Sequence, residues 1–389
     1  MHNADKLDLL TSGASYDLAC ACGGEQQSRI RGSWGRWIYP AVLPDGSRVP
    51  LLKILLSNAC SRDCVYCANR RGRRFIRTSF RPEEMAQIFM ELNRQGRVGG
   101  LFLSSAISGS VINSMEQMLE TIELVRFWHG YKGWVHLKIL PGASRQQVER
   151  AARLANRLSL NLEAPSPARL KAISSKKRFT EDIYRRMEWI QNLAGSGGYR
   201  CRGQTTQFVV GAGEETDREF AFLSGKLYSN LGLSRVYYSA FQPVKNTPLW
   251  SRPPAAFERE HRLYQADFLL RKYGFTADEL VFDRNGNLPL DKDPKTSWAS
   301  IHPEAFPVEV NTAPLQQLLR IPGIGPVAAT RIIKSRRQEK LSTLDHLKST
   351  GARADCAPFI LLDGKRPAEV SGAQLSLFVP AAGFGAASG

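Results

Sequence analysis

Three cysteines lie close together in the first part of the chain. Cys60, Cys64 and Cys67 are spaced C-x3-C-x2-C and directly follow an apolar run at residues 51–56. A short apolar run of this kind predicts a buried strand, so we expect the thiols on the loop at its carboxyl end. Three thiolates this close can bind three corners of a [4Fe–4S] cluster and leave the fourth iron open to a small molecule. The spacing therefore predicts an iron–sulfur cluster with one open iron.

A zinc site and a disulfide framework are the alternatives for these cysteines. A structural zinc ion needs four nitrogen or sulfur ligands, and the thirty residues after Cys67 contain no Cys or His. Cys20 or Cys22 would have to fold back to supply the fourth ligand, although we expect both to be small packing residues. A disulfide framework is disfavoured because seven cysteines are an odd number and no apolar signal segment opens the sequence.

The composition favours a soluble protein with a polyanionic partner. A chain of 389 residues with 43% apolar content can form one large domain and one small domain. No run of eighteen apolar residues occurs, so we expect no transmembrane helix and no membrane partner. We expect a cytoplasmic location, where reducing conditions suit an iron–sulfur cluster. The net charge of +17 favours a polyanion as partner and carries no information about the fold.

The positive charge is concentrated directly after the third cysteine. Residues 68–81 contain six arginines and no acidic residue. The arginines expected to contact phosphates at the mouth of the cluster site are Arg70, Arg71, Arg73, Arg74 and Arg77. The alternative is a basic loop that is only solvated.

From residue 51 to about residue 274, strand-like and helix-like runs alternate, which is typical of βα units around a parallel sheet. Strands are predicted at residues 51–56, 100–104, 134–139, 158–162, 205–210 and 235–239. Helices are predicted at residues 82–94, 115–128, 144–155, 180–193, 216–231 and 255–273. We expect Thr78 or Ser79 to cap the first of these helices.

The cysteine loop and the six βα units together resemble the radical SAM superfamily. Tyr66 completes the superfamily pattern C-x3-C-x-aromatic-C. The resemblance implies an α/β fold, a partial (β/α)6 TIM-type barrel at residues 51–274 behind an N-terminal cap at residues 1–50. It also implies S-adenosylmethionine at the open iron of the cluster. Active sites of such barrels lie at the carboxyl ends of the strands, where the cysteines are expected.

The resemblance also implies where S-adenosylmethionine binds. Ser104 and Ser105 follow the second strand, where the superfamily often has Gly-Gly-Glu, and they would hold the methionine amino group. Glu163 follows the fourth strand and would accept a hydrogen bond from a ribose hydroxyl or from the methionine ammonium group. The alternative is that Glu163 forms a surface salt bridge. The residues expected near adenine are Tyr66, Val210, Gly211 and Gly213, since glycines let a flat ring approach the backbone closely.

A second motif follows residues 275–306, which are dense in turn residues and are interpreted as a connector. Residues 310–333 predict two short helices joined by the turn Pro322-Gly-Ile-Gly325, with Asn311 or Thr312 as cap of the first helix. This resembles a helix-hairpin-helix module. We therefore expect a small all-α domain at residues 307–366 and a disordered tail at residues 367–389.

The hairpin predicts contacts to a phosphate backbone. Positive φ angles at both of its glycines would point amides toward solvent, where they and the next helix N-terminus can hold a phosphate oxygen. The residues expected to contact nucleic acid here are Gly323, Ile324, Gly325, Lys334, Arg336 and Arg337. Such contacts carry no sequence information, so binding should be non-specific and salt-dependent. The alternative is a module that packs internally or binds a protein.

A radical SAM barrel joined to a helix-hairpin-helix resembles a family described as DNA modification or repair radical SAM proteins, over residues 6–366. Segments that carry the resemblance include Cys64-Val-Tyr-Cys-Ala-Asn-Arg-Arg71 and His136-Leu-Lys-Ile-Leu-Pro-Gly-Ala-Ser144. Members are often linked with a uracil-DNA-glycosylase-like protein, which implies DNA base chemistry and suggests that protein as a partner.

The resulting hypothesis is an enzyme that receives an electron from an external donor, cleaves S-adenosylmethionine and abstracts hydrogen from a DNA nucleotide through a 5′-deoxyadenosyl radical. The target nucleotide would be flipped out of the duplex or single-stranded. Two alternatives stay open. One is a radical SAM enzyme that acts on RNA, and the other is a non-catalytic iron–sulfur protein that binds DNA or senses redox state.

Overall fold

The computed structural model describes residues 2–16, 38–42 and 48–367. The expectations for Cys20, Cys22 and the tail beyond residue 367 lie outside these ranges. The chain separates into two compact units, Met1–Tyr264 and Gln265–Gly389. No helix in the described ranges is both long and apolar enough to cross a membrane.

The first unit is built on one seven-stranded sheet whose strands follow one another in sequence order. Its strands are β1 Ile38–Val42, β2 Arg48–Leu55, β3 Gly100–Ser104, β4 Trp134–Lys138, β5 Arg157–Ser159, β6 Gln204–Val210 and β7 Arg235–Ala240. β2 to β7 are parallel, and β1 pairs antiparallel with β2. Parallel neighbours joined by helices curl into a half-barrel, so the predicted α/β fold with six parallel strands is confirmed. The antiparallel β1 is an addition that the strand pattern does not reveal.

Seven α-helices of the described ranges lie within the first unit, and an eighth begins in it and ends in the second unit. They are α1 Asn3–Gly13, α2 Pro82–Arg94, α3 Val111–Glu123, α4 Arg145–Leu154, α5 Pro167–Ile173, α6 Arg185–Leu193, α7 Asp217–Leu231 and α8 Phe257–Lys272. The N-termini of α4 and α7 are closed by capping boxes, in which Ser144 and Thr216 accept from the backbone three residues later. Local capping therefore specifies where these connecting helices begin.

Three details of the helices differ from the prediction. The N-cap of α2 is Arg81, not Thr78 or Ser79. The Glu84 carboxylate accepts a hydrogen bond from the Arg81 amide at 2.9 Å. The predicted helices at residues 115–128 and 180–193 each contain a π-helical segment, at Leu124–Trp128 and Phe179–Tyr184 respectively. α5 lies where no helix was predicted.

Alternation of side chains gives the parallel sheet two different faces. The residues of one face are apolar and fully or almost fully buried: Leu52, Ile54, Leu101, Leu103, Val135, Leu137, Phe208 and Val236. Residues at the alternate positions point to the concave face, and Leu55, Lys138 and Gln207 among them line a cavity. The hydrophobic core and the candidate site therefore lie on opposite faces of one sheet.

The second unit contains four further α-helices and a two-stranded parallel sheet in the described residues. They are α9 Pro294–Ile301, β8 Val308–Glu309, α10 Leu315–Arg320, α11 Pro326–Ser335, α12 Leu344–Ser349 and β9 Ile360–Leu361. The expectation of an all-α domain is therefore wrong, because β8 and β9 pair. The expected connector at residues 275–306 contains α9. The residue before α10 is Pro314, so neither Asn311 nor Thr312 caps it.

The turn between α10 and α11 follows the prediction at only one of its glycines. Gly323 has φ +80°, which a residue with a side chain adopts only with strain. Gly325 has φ −94° and ψ 174° and is the N-cap of α11. The expectation of positive φ at both glycines is thus wrong at Gly325, where extended backbone leads directly into the helix.

Candidate functional site

One cavity at the carboxyl ends of the parallel strands gathers most of the residues predicted to bind the cluster and its ligand. The predicted residues that line it are Cys60, Cys64, Tyr66, Cys67, Ser104, Ser105 and Glu163. They come from the loops after β2, β3 and β5, which meet because parallel strands end at the same edge of the sheet. The structure thus brings together residues separated by about a hundred positions in the sequence.

The three cysteines are arranged as ligands on one loop. Cys64 is buried, and Cys60 and Cys67 are partly exposed. Backbone amides donate to two of the sulfur atoms, from Arg62 to Cys60 and from Asn69 to Cys67, at 3.4 Å each. Such hydrogen bonds stabilise thiolates and tune the potential of a cluster bound to them. The loop therefore fits a [4Fe–4S] cluster with three protein ligands.

The acid–base chemistry of the loop also fits a bound cationic metal centre. Burial, and then the neighbouring Cys64, raises the pKa of the Cys67 thiol to about 12. Thiolates this close therefore need positive charge beside them.

Within the described ranges, no three His, Cys, Asp or Glu side chains converge as ligands of a single ion. The cysteines described there are also free thiols.

A buried ion pair lies beside the cysteines. Lys177 Nζ is 3.0 Å from Glu163 Oε1, and their side chains are only 9% and 11% exposed. Burial alone would lower the pKa of Lys177, but Cys64 and Glu163 raise it above its ordinary value. The Tyr66 hydroxyl is hydrogen-bonded to Glu163, and burial together with that carboxylate raises the pKa of Tyr66. Glu163 thus links a cation and a phenol at the cavity wall and is not in a surface salt bridge.

Lys177 was missed by sequence reasoning, since it lies in the polar run Ser174-Ser-Lys-Lys177 with no motif around it. Glu163 itself has φ +67°, an uncommon conformation for a residue with a side chain. Its amide donates to Gln207 and its carbonyl accepts from Val209, which hold this backbone against β6. Strained backbone of this kind is concentrated at functional sites.

The segment between the cysteines is anchored by two serines that follow α5. Ser174 Oγ donates to Asp63 at 3.1 Å and lies 3.6 Å from the Cys64 sulfur atom. Burial would raise the pKa of Asp63, but hydrogen bonds from Ser175 and Ser174 lower it. Asp63 therefore stays ionised and ties the cysteine loop to the end of α5.

The residues expected to bind the methionine group line the cavity, whereas three of those expected near adenine do not. Ser104 and Ser105 line the cavity, although the Ser105 hydroxyl donates to the Ala106 carbonyl at 2.8 Å. Val210, Gly211 and Gly213 do not line it. The amides of both glycines donate to the Glu215 carboxylate. The sheet contributes Val209 to the cavity wall instead.

Further lining residues carry no sequence motif. They include Gly13, Leu55, Lys138, Asn161, Gln207, Ser239 and Gln242. Gly13 ends α1, and a Cβ at this position would come within 2.8 Å of the Leu55 side chain. The strand positions among them could have been found from the alternation of the strands, once the polar face was assigned to the inside. The contribution of α1 has no such signal.

The arginine segment, residues 70–77, lies beside the cavity without lining it. Ala68 and Asn69 line the cavity, but Arg70, Arg71, Arg73, Arg74 and Arg77 do not. Arg73 and Arg77 hold the segment together by donating to the carbonyls of Ala68 and Arg70 at 3.0 and 2.9 Å. Arg71 and Arg74 are exposed. Two of the five arginines are therefore presented to solvent, and two others brace the loop.

The turn of the second unit is supported by a buried lysine that sequence reasoning missed. Lys295 Nζ donates to the Ile324 carbonyl at 2.6 Å and lies 4.7 Å from the centre of the Tyr273 ring. The Ile324 amide donates to Ile321, and the Gly323 carbonyl accepts from Arg353. Much of the polar backbone of the turn is thus used inside the unit.

The basic residues expected after the turn divide into two groups. Arg336 Nη1 donates to the carbonyls of Val310 and Ala313 at 2.7 Å each, so this guanidinium braces the chain before α10. Lys334 and Arg337 are exposed. Only the exposed pair is available to a ligand.

Comparisons with known proteins agree with the cysteine loop. Residues 54–223 match the model of the Radical SAM superfamily. No curated protein sequence matches the chain.

Similar solved structures include HydG, a maturase of the [FeFe]-hydrogenase, at 13% identity and TM-score 0.45 over 56% of this chain and 48% of that one. HydG from Carboxydothermus hydrogenoformans is similar at 16% identity and TM-score 0.44, over 56% and 50%. Methylornithine synthase (PylB) is similar at 15% identity and TM-score 0.47, over 69% of each chain. The chain spans about half the length of the two HydG chains.

The matched segment contains the three cysteines, the paired Glu163 and Lys177, and strands β3 to β6. The segment at residues 54–223 is therefore similar to the Radical SAM superfamily.

Proposed function

We propose that this protein is a radical SAM enzyme, with a [4Fe–4S] cluster and S-adenosylmethionine as its cofactors, and that it modifies or repairs a nucleotide in DNA. When bound, the cluster and S-adenosylmethionine supply a 5′-deoxyadenosyl radical that can abstract hydrogen from a substrate. The protein is expected to recognise the polyanion by contacts to its phosphate backbone, without preference for sequence. An external electron donor and a uracil-DNA-glycosylase-like partner belong to the same proposal.

The observation that carries the proposal is the arginine segment beside the cluster loop. It begins three residues after Cys67, contains no acidic residue, and presents Arg71 and Arg74 to solvent. Hydrogen bonds from Arg73 and Arg77 to carbonyls of the segment hold in place the backbone that carries these exposed side chains. Positive charge at the entrance to a cavity concentrates phosphates there and steers a nucleic acid toward it.

The second unit supports the proposal independently. α11 begins at Gly325 with its first-turn amides unused inside the helix, and Lys334 and Arg337 are exposed at its carboxyl end. The N-terminus of a helix favours a phosphate oxygen through its amides and its dipole. Together with a net charge of +17, these groups suit a long polyanion better than a small neutral substrate.

Several side chains of the cavity have assignable tasks in this reaction. Cys60, Cys64 and Cys67 would hold the cluster, and the Glu163–Lys177 pair would orient the polar groups of S-adenosylmethionine next to it. Because this ion pair is almost completely buried, it can position a ligand without reorganisation when the reaction begins. A target nucleotide would reach the cavity only as a flipped or single-stranded base.

The direct test reduces the anaerobic holoenzyme with S-adenosylmethionine and a panel of single-stranded DNA, duplex DNA and RNA with deuterated nucleosides. We expect DNA to increase the formation of 5′-deoxyadenosine and to transfer deuterium into it. Transfer from RNA alone would support the RNA-acting alternative instead. Formation of deoxyadenosine that no nucleic acid increases, with no deuterium transferred, would overturn the proposal.

A further inference from the structure

Two adjacent side chains at the end of α3 form an exposed aromatic pair. Phe127 and Trp128 are 77% and 81% exposed, although large apolar side chains are usually buried. They belong to the π-helical segment Leu124–Trp128. In a continuous α-helix, Trp128 would share the buried face of Val125, three residues earlier. A π turn is wider than an α turn and changes this register, and such turns are frequent at functional sites.

The backbone that carries the aromatic pair is held by a buried arginine. Arg126 is 6% exposed, and its guanidinium donates to the carbonyls of Tyr131 and Gly133 at 2.9 and 2.8 Å. It also donates to the Leu154 carbonyl at the end of α4, at 2.8 Å. The Tyr131 hydroxyl donates to the Gly99 carbonyl at 3.0 Å. These contacts join the segments before β3 and β4 into one fixed surface.

This surface is basic and lies at the amino edge of the sheet, opposite the cavity. Three segments that lead into strands contain no Asp or Glu: residues 95–99 before β3, 127–133 before β4 and 194–203 before β6. Arg97 is exposed in the first segment, and Arg200 and Arg202 are exposed in the last. Because the strands follow one another in sequence order, the aromatic pair lies between these arginines along the edge. Burial lowers the pKa of Arg126 to about 10, and Arg200, which is close to it, adds to the shift.

We propose that the amino edge of the sheet binds a nucleic-acid strand whose unpaired bases stack on the aromatic pair and whose phosphates contact the three arginines. Proteins that bind single strands combine aromatic rings with a basic path for the backbone. A surface with exposed arginines and no acid favours a polyanion over a neutral or basic protein face. The inference takes nucleic acid as partner from the proposed function and extends it to a site outside the cavity.

The rings favour a single strand over a duplex. In a duplex each base is stacked between its neighbours, and only base edges are open in the grooves. A base can therefore stack on Phe127 or Trp128 only where the strand is unpaired. The proposed function also needs an unpaired target nucleotide, so a surface that holds unpaired nucleotides of the same strand would favour the reactive form of the substrate.

The test measures equilibrium binding to the anaerobic holoenzyme with S-adenosylmethionine present. The probes are fluorescent strands of equal length: a deoxycytidine strand, a cytidine strand, an abasic deoxyribose strand and a duplex. We expect the strands with bases to bind more tightly than the abasic strand, because stacking adds to the phosphate contacts that all of them share. The tighter of the deoxycytidine and cytidine strands identifies DNA or RNA as the source.

The variant Phe127→Ala with Trp128→Ala should lower this preference for bases at least about tenfold, since stacking is worth about a fivefold to hundredfold change per base. Phe127→Tyr with Trp128→Tyr should retain most of the preference. Phe127→Leu with Trp128→Leu should lose it, because leucine keeps an apolar surface without a ring. Ile112→Ala is the matched control, since Ile112 is a 46% exposed apolar residue of α3, and it should leave the preference unchanged.

The arginines are tested separately from the rings. Arg97→Gln with Arg200→Gln should weaken the binding of intact and abasic strands alike, because both carry the same phosphates. Equal affinity for intact and abasic strands, or a full preference for bases in the Ala or Leu variants, would overturn the inference. A fall in duplex binding as large as that in single-strand binding in the Ala variant would also contradict it.

The two proposals can fail separately. Deoxyadenosine formation that DNA stimulates, without any dependence of strand binding on Phe127 and Trp128, would overturn this surface and leave the proposed function standing. Strand binding that depends on the aromatic pair, with no response of deoxyadenosine formation to any nucleic acid, would support the surface and overturn the proposed function.

Discussion

At the scale of single residues, the two carboxylates near the cysteines each accept hydrogen bonds from two side chains. Glu163 accepts from Lys177 and Tyr66, and Asp63 accepts from two serines beside Cys64. A buried carboxylate is tolerated only when its charge is matched in this way. Removing one partner of such a contact should therefore lower the free energy of unfolding more than removing an exposed charge.

The ion pair beside the cysteines provides the first prediction. Lys177→Met leaves the Glu163 carboxylate buried without its cation, so the free energy of unfolding should fall by about 3–5 kcal/mol. Arg94→Met is the matched control, because the Arg94–Glu91 pair is 62% and 53% exposed and should contribute less than about 1 kcal/mol. Urea denaturation of both variants measures the difference, and equal losses would contradict the assigned role of the buried pair.

The cysteines provide the second prediction. Cys60→Ala, Cys64→Ala and Cys67→Ala should each lower the iron content from about four atoms per chain to a small remainder, because each removes one of three ligands. Cys201→Ala and Cys356→Ala are controls at buried thiols outside the cavity and should keep the iron. Iron and sulfide analysis after anaerobic reconstitution decides this. Uptake of one zinc ion and no iron would favour the zinc alternative.

At the scale of elements, the turn between α10 and α11 depends on contacts with distant segments. Gly323 packs against residues 353–356, where a Cβ would lie 2.3 Å from Asp355 Oδ1 and 3.0 Å from the Cys356 amide nitrogen. Gly325 has more room, since its Cβ would meet Tyr273 Oη at 3.3 Å. The two glycines of the motif therefore have different structural roles.

The third prediction follows from this difference. Gly323→Ala should destabilise the second unit by about 2 kcal/mol or more, because the left-handed conformation costs about 1–2 kcal/mol for a residue with a side chain and the contact with Asp355 adds to it. Gly325→Ala, at negative φ, should cost less than about 1 kcal/mol. Thermal unfolding of the two variants tests the ranking. A larger loss in Gly325→Ala would be inconsistent with the packing described.

The lysine behind this turn provides the fourth prediction. Burial lowers the pKa of Lys295 to about 7, although Asp293 opposes the shift and Arg320 adds to it. The unfolded chain therefore binds more protons than the folded chain between about pH 7 and about pH 10. Stability should rise with pH across this window, and below it Lys295 should add no further dependence on pH because it is protonated in both states.

The measurement compares urea unfolding of the second unit at the two ends of the window. Lys295→Met should be less dependent on pH there, because the titrating group is gone. Lys334→Met is the matched control at an exposed lysine of the same unit, and it should keep the dependence of the unsubstituted protein. An equal pH dependence in Lys295→Met and the unsubstituted protein would show that the ammonium is not held as described.

At the scale of the whole molecule, the net charge of +17 and the exposed basic residues of both units predict salt-sensitive binding of nucleic acid. For duplex DNA, the logarithm of the binding constant should fall with the logarithm of salt concentration by about 0.9 for each phosphate contacted. The double variants Arg71→Glu with Arg74→Glu, and Lys334→Glu with Arg337→Glu, should each weaken binding and flatten this slope.

Lys132→Glu with Lys226→Glu is the matched control, because it reverses two exposed charges outside both basic segments. A titration of fluorescent DNA over a salt series gives the slopes. If the control weakens binding as much as the two test variants, the effect comes from net charge and the assigned contact surfaces are wrong.

Several features of the protein were already determined by its sequence because they depend on neighbours in the chain. The spacing of Cys60, Cys64 and Cys67 places three thiols on one loop in any fold, and apolar runs alternating with capped helical segments predict parallel βα units. The positive φ of Gly323 also follows from its local turn. These features depend on short-range constraints, which remain the same before and after folding.

Other features were decided only by tertiary structure, because they depend on residues that folding brings together. Lys177 pairs with Glu163 and lies near Cys64. Cys64 is more than a hundred positions earlier in the chain. Arg336 is drawn away from solvent by carbonyls before α10, and the Glu215 carboxylate takes the glycine amides expected to receive adenine. Whether a polar group is free for a ligand depends on which partners reach it, and a linear pattern does not contain that information.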